Sequence, residues 1–253
     1  MKLKLFSLLL AITLLASCKQ EKQQLVKIEG VLIPISDSLK TNPEIEDYIK
    51  PYREHLNKEL DSVLSYSKET YTKKDGDLNT AIGNLFADAI LEQTNPIFNK
   101  RTGKNIDLVM FNHGGIRSHI SKGNITTRTA YEIMPFENKV VVISLKGSQV
   151  NKLVEYLVSR HRAHPISGLK LVLDKEGGLK EASMHGEPIE DAKTYYVATN
   201  DYLYNGGDGM DFFKPNDTVY SMDYKIRNVL LDYFIKTDTI APVVDDRFIQ
   251  LEN

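Results

Sequence analysis

The stretch Ile106-Asp107-Leu108-Val109-Met110-Phe111-Asn112-His113-Gly114-Gly115-Ile116-Arg117 decides how the rest of the chain is read. Its first half, up to Asn112, is a short apolar run suited to a buried strand. Its second half sets a glycine pair between polar residues and ends in arginine. Paired glycines let a backbone adopt positive φ and approach a ligand closely. An arginine behind them can make charge-assisted hydrogen bonds to an anion such as phosphate. A second segment of this type, Asn205-Gly206-Gly207-Asp208-Gly209, follows the strand-like run 195–198. An aspartate placed there can accept hydrogen bonds from sugar hydroxyls. Neither segment fits the dinucleotide fingerprint or the P-loop, and each by itself is equally a tight turn carrying a solvated charge.

Working outward, Asn42-Pro43 predicts a helix start, because asparagine caps and proline fits the first turn. Ile45, Tyr48, Ile49, Tyr52, Leu56, Leu60 and Val63 then follow a helical period, with Pro51 expected to kink or divide the helix. A second helix is expected over 81–91, with Ile82, Leu85, Phe86, Ala89 and Ile90 on one side. The β-branched run 139–145 reads as a strand, and 147–160 returns to helical spacing through Val150, Leu153, Val154, Leu157 and Val158. Residues 169–173 and 179–184 read as strands, followed by a turn at His185-Gly186. Residues 221–235 read as a closing helix and 247–251 as a last strand. Helices and strands mix without a regular βα repeat, which predicts an α+β, or mixed α/β, fold.

The chain has 253 residues, of which 42% are hydrophobic and 26% charged. That composition supports a sizeable core and excludes a disordered chain or a membrane bundle. A net charge of −2 argues against a non-specific binder of nucleic acid polymers. Cys18 is the single cysteine, so no internal disulfide or multi-cysteine zinc site is available. It closes a signal-like segment: Lys2 and Lys4, an apolar run over 5–16 too short to span ~30 Å of hydrocarbon, then Leu15-Ala16-Ser17-Cys18. This ending resembles a bacterial lipobox. It predicts a lipoprotein signal peptide over 1–17, a lipidated Cys18 with a polar tether over 18–26, and a single domain over 27–253. The expected location is the cell envelope, exported and lipid-anchored, facing the periplasm or in the outer membrane.

Two more segments complete the pattern. Gly83-Asn84-Leu85-Phe86-Ala87-Asp88-Ala89 lies upstream, and Met134-Pro135-Phe136-Glu137-Asn138 stands directly before the 139–145 strand. In this order and at these spacings the four segments resemble the C-terminal domain of the 5'-nucleotidase / UDP-sugar hydrolase family, from about Glu44 to the end. The resemblance implies a domain that binds the nucleoside part of a nucleotide. Phe136 and Tyr202 would sandwich the base, with tyrosine in place of the usual phenylalanine at 202. Asn138 would hydrogen-bond the base edge, and Gly168 would be the small residue beside the base. Asp208 would hold the ribose hydroxyls, while Asn112 and Arg117 would face the ribose-phosphate side. The chain also departs from the pattern. His113 stands at the second position of N-G-G-G-I-R and is read as solvent-facing. Gly76 replaces an arginine, with Lys73 and Lys74 nearby but offset, and Asn79 replaces an acidic residue. Phosphate contacts on that side are expected to be weaker or rearranged.

In that family, hydrolysis belongs to a separate metallophosphoesterase domain whose Asp-x-His and Gly-Asn-His-Glu/Asp segments hold two metal ions. None of His55, His113, His119, His161, His164 and His185 stands in such a context. His161 and His164, three apart, are read as surface residues. The chain is therefore expected to carry no catalytic or metal-binding residues and no cofactor of its own. The reading is a nucleotide-binding subunit of a split 5'-nucleotidase in nucleotide catabolism. Its expected partners are a nucleotide or nucleoside, a separate metallophosphoesterase holding divalent metals, and a membrane reached through the lipid. A nucleoside- or nucleotide-capture lipoprotein and a non-binding structural relic, neither with a hydrolase partner, stand as alternatives.

Overall fold

The computed structural model describes residues 25–252. The signal peptide, Cys18 and residues 19–24 of the tether lie outside the described residues. Two units are distinguished, one up to Tyr48 and a larger one from Ile49 onward. Residues 25–42 form no helix or strand and are exposed. Helix α1 (Pro43–Leu60) begins where expected, and the Asn42 side chain accepts from the Glu44 N–H at 3.0 Å. Pro51 lies inside this single helix and does not divide it. No residue of α1 is buried, so water can reach the carbonyl that proline leaves without a donor. Val63, read as the end of the helical period, instead opens a strand.

The elements after α1 are β1 (Val63–Ser67), α2 (Ala81–Thr102), β2 (Leu108–Met110), β3 (Gly123–Thr126), α3 (Thr127–Ile133), β4 (Lys139–Lys146), α4 (Gly147–Arg160), β5 (Ile166–Ser167), β6 (Leu169–Leu173), β7 (Leu179–Met184), β8 (Glu187–Pro188), β9 (Thr194–Asn200), α5 (Asp201–Tyr204), β10 (Thr218–Lys225), α6 (Ile226–Lys236), β11 (Thr239–Ile240) and β12 (Phe248–Gln250). They build three mixed sheets in the orders β11-β1-β3, β10-β4-β9-β2-β5 and β12-β6-β7-β8. The fold is mixed α/β, as the unpatterned alternation of elements predicts.

Each element follows from its residues. In β4 the six inner positions are all buried, which suits the run Val140-Val141-Val142-Ile143 in a central strand. Helix α2 starts at Thr80, whose hydroxyl accepts from the Gly83 N–H at 3.2 Å. It runs past the expected residue 91 to Gly103, whose φ of 70° and N–H bond to Asn99 at 2.7 Å end it. Residues 221–225, read as helical, belong to β10 and pair with β4. Helix α6 begins only at Ile226 and buries Ile226, Val229, Leu230 and Phe234.

The five-stranded sheet positions everything that follows. Strands β2 and β9 are parallel neighbours, with Leu108 opposite Val197. Their carboxyl ends therefore leave the sheet side by side, which is where open α/β sheets place ligands. Strand β4 runs antiparallel to β9, with Val140 opposite Asn200. The residues just before β4 therefore arrive at the same edge.

The Gly83–Ala89 segment serves the frame. Asn84 donates to the Asn79 carboxamide oxygen at 2.8 Å and to the Val243 carbonyl at 3.0 Å. Asn79 donates to the Asp245 and Phe248 carbonyls, both at 3.0 Å. Asp88 forms an ion pair with Arg247 at 2.9 Å. Asn79, at the position where an acidic residue is usual, is only 4% exposed. A carboxylate there would face two carbonyl oxygens and lose two donated bonds. Asn79→Asp should therefore destabilise the fold by about 3 kcal/mol, measured as a lowered midpoint in urea unfolding at pH 7.

Candidate functional site

The three convergent segments enclose a cleft of about 700 Å³. Six of the seven sequence-predicted residues line it: Asn112, Arg117, Phe136, Asn138, Tyr202 and Asp208. Gly114, Gly115, Met134, Glu137 and Asn200 complete the wall. Phe136 is 42% exposed and Tyr202 48%, so two aromatic rings present open surface to one cavity.

Asp208 joins the two glycine loops. Its carboxylate accepts from the Asn112 side chain at 2.7 Å and from the Tyr202 hydroxyl at 3.1 Å. Its carbonyl accepts from the Tyr156 hydroxyl at 3.1 Å. The loop bends through positive φ at Gly206 (93°), Asp208 (54°) and Gly209 (72°). A left-handed aspartate is uncommon, and the side-chain bonds compensate for it. Gly207 has a separate reason: a Cβ there would lie 2.4 Å from the Tyr202 ring. Asn200, which the sequence reading missed, accepts from the Leu203 N–H at 2.7 Å and caps α5. Its signal was an asparagine at a strand-to-helix junction.

On the opposite wall, Asn138 donates to the Asp201 carboxylate at 2.9 Å. The Asn138 carboxamide oxygen has no protein partner among the described residues and remains an acceptor. The Arg117 guanidinium stands 5.8 Å from the centre of the Phe136 ring. Glu137 is paired with both Lys225 and Arg227, and those bonds hold its carboxyl down to about 2.

The rim beside Asn112 is positive. Lys73 donates to the His113 carbonyl at 3.4 Å. Burial and the repulsion of Arg117 and Arg162 lower its pKa. No carboxylate pairs with Lys73, Arg117 or Arg162 among the described residues. His113 is half-buried, not solvent-facing, and its Nδ1 lies 2.8 Å from the Ala163 carbonyl. Burial lowers its pKa, with Arg162 and Lys73 adding to the effect. His161 is exposed and ends α4 at φ 46°, but His164 is only 6% exposed. The Nδ1 of His164 lies 3.3 Å from the His113 N–H and 3.2 Å from the Phe111 carbonyl, beneath the first glycine loop.

Gly168 does not line the cleft. Strand β5 pairs Ser167 with Val109, which carries Gly168 toward the start of β2. It has φ 85°, and a Cβ there would fall 2.1 Å from the Asp107 carbonyl. Close backbone packing accounts for this glycine. Among the described residues, no group of three or more His, Cys, Asp or Glu is placed to hold a metal ion.

Burial pushes His164 down to about 4 from its ordinary 6.5. The unfolded chain thus takes up this proton first, and stability falls as the pH drops from 6.5 toward 4. The full span corresponds to on the order of 3 kcal/mol. His164→Gln should flatten that limb, read as unfolding free energy in urea between pH 7 and 4.

A family model for the 5'-nucleotidase C-terminal domain matches residues 61–215. An apyrase of Tabanus yao is 25% identical over 84% of this chain and 42% of its own. A cell wall protein of Listeria monocytogenes is 30% identical over 64% of this chain and 22% of its own. The crystal structure of a 5'-nucleotidase precursor from Thermus thermophilus superimposes with a TM-score of 0.69 at 24% identity, covering 82% of this chain and 43% of that one. The chain spans less than half the length of these relatives. With these segments, this sheet order and this match over more than half its length, the chain belongs to the 5'-nucleotidase C-terminal domain family.

Proposed function

We propose that this chain is the nucleotide-binding part of a 5'-nucleotidase, and that the metal-dependent hydrolysis is carried out by a separate metallophosphoesterase. The observation that carries the reading is the cleft itself. Two open aromatic rings, a bridging carboxylate and Arg117 line a cavity of about 700 Å³, and Lys73 stands beside it on the His113 carbonyl. That volume suits a small ligand. A flat base would stack on Phe136 and Tyr202, a mode worth about 1–3 kcal/mol per base. The free Asn138 oxygen would accept from an exocyclic amino group. Asp208 has lone pairs to spare beyond the two bonds it accepts, and these would take the ribose hydroxyls. The phosphate would lie toward Arg117, Lys73 and Arg162, so that cations from elsewhere stand in for the arginine that Gly76 replaces. Binding the nucleoside would fix the phosphate for attack by a metal-bound nucleophile on the partner.

The lipobox-like segment and the relative described as a cell wall protein support an envelope location. Lipid chains on Cys18 would contribute ~0.8 kcal/mol per buried CH₂ and keep the chain on the membrane surface.

Calorimetry on the purified chain tests the binding. AMP should bind, and Phe136→Ala should weaken it by about 10- to 100-fold. Asp208→Asn should weaken AMP and adenosine alike. Lys73→Ala with Arg162→Ala should weaken AMP while leaving adenosine unchanged, and the preference for AMP should shrink with salt. Equal affinity of the wild type for AMP and adenosine would remove the phosphate assignment. The division of labour is checked by assaying AMP hydrolysis with Mn²⁺, with and without a candidate metallophosphoesterase. Turnover is expected only with the partner, and robust turnover by the lone chain would defeat the split arrangement.

A further inference from the structure

Arg227 does not line the cleft, yet it contacts the loop that carries one of the cleft's rings. It sits in the first turn of α6 with its side chain 7% exposed. Its guanidinium lies 4.1 Å from the centre of the Tyr131 ring. One terminal nitrogen donates to the Glu137 carboxylate, and the other lies 3.5 Å from the Phe136 carbonyl oxygen. The neighbours of Arg227 grip the same loop. Lys225 pairs with Glu137, and the Ile226 N–H donates to the Asn138 carbonyl at 3.0 Å. Residues 225–227 therefore fasten each of the residues 136, 137 and 138.

The loop needs this support. Phe136 is 42% exposed and stands at the cleft wall, so core packing does not set its direction. A ring that must still be ordered when the ligand arrives costs affinity, and a ring already fixed does not. The guanidinium is suited to the task, because its flat fork reaches two acceptors while its face rests on an aromatic ring. The Nε of Arg227 is buried and has no protein partner among the described residues, so the grip on the loop comes from its two terminal nitrogens.

We propose that Arg227 is a positioning residue that preorganises Phe136 for stacking, an inference that rests on reading the cleft as a base site. Its effect passes through Glu137 and the Phe136 carbonyl, and Arg227 itself touches no ligand. The ion pair persists over the working pH range, because Glu137 stays ionised well below neutrality.

Two measurements on Arg227→Met and Arg227→Lys test this. The first is amide hydrogen exchange of the unliganded protein. Exchange at residues 136–138 should rise several-fold in Arg227→Met while the β4 amides stay protected. Arg227→Lys should restore it only in part, since an ammonium can hold Glu137 but cannot fork or stack. The second is AMP affinity by calorimetry in two backgrounds. Arg227→Met should weaken AMP about tenfold in the wild-type background, within the range a stacking contact supplies. It should change affinity by less than about twofold when Phe136 is already Leu, because the ring it positions is gone. Unchanged loop exchange together with unchanged AMP affinity overturns the inference. An equal loss of affinity in both backgrounds also overturns it, because Arg227 would then act other than through Phe136. If exchange rises but the wild type binds no AMP, the base-site reading fails while the hold of Arg227 on the loop stands.

Discussion

The carboxylate of Asp208 is the constraint on which the cleft depends. It draws two chain segments, 96 positions apart in sequence, onto one point through the 2.7 Å bond from Asn112. The Tyr202 hydroxyl on its other oxygen ties the aromatic wall to the same anchor. Hydrogen bonds to a charged acceptor contribute about 1.5–3 kcal/mol each, enough to offset an aspartate at positive φ in a loop flanked by glycines. Remove this carboxylate and Tyr202, Asn112 and the second glycine loop lose their common partner together.

The sheet makes this meeting point possible. Parallel β2 and β9 deliver both glycine loops to one edge, and antiparallel β4 delivers the Phe136 loop beside them. The resulting cleft is electrostatically uneven. Asp208 and Asp201 are each held by a neutral amide donor, Asn112 and Asn138. Lys73 has Arg117 and Arg162 nearby, and burial together with the repulsion of the two arginines disfavours its charged form. Like charges held together without a counterion cost free energy that an incoming anion recovers.

Much of this was legible in the sequence because it is local. The helical period of 147–160, the β-branched run of β4 and the glycine-polar segments each declare themselves within a dozen residues. What was misread depends on distant partners. Residues 221–225 look helical because they run without a break into α6, and only pairing with β4 makes them a strand. Helix α3 has seven residues, too few to show a period. His164 stands just past a helix end, outside any periodic run that would mark it as buried, and it is covered by Tyr156 of that helix and by Phe111, 53 positions away. Gly168 fits the family's pattern, yet its conformation answers to the backbone of Asp107. Arg227 carries no local signal at all, since its role depends on Glu137, 90 positions away.

The most direct measurement is transferred nuclear Overhauser contact between AMP and the chain carrying labelled phenylalanine and tyrosine. The account predicts contacts from the base protons to the rings of both Phe136 and Tyr202, each lost when that residue is replaced by leucine. Contacts confined to the ribose, or to rings elsewhere in the molecule, would contradict it.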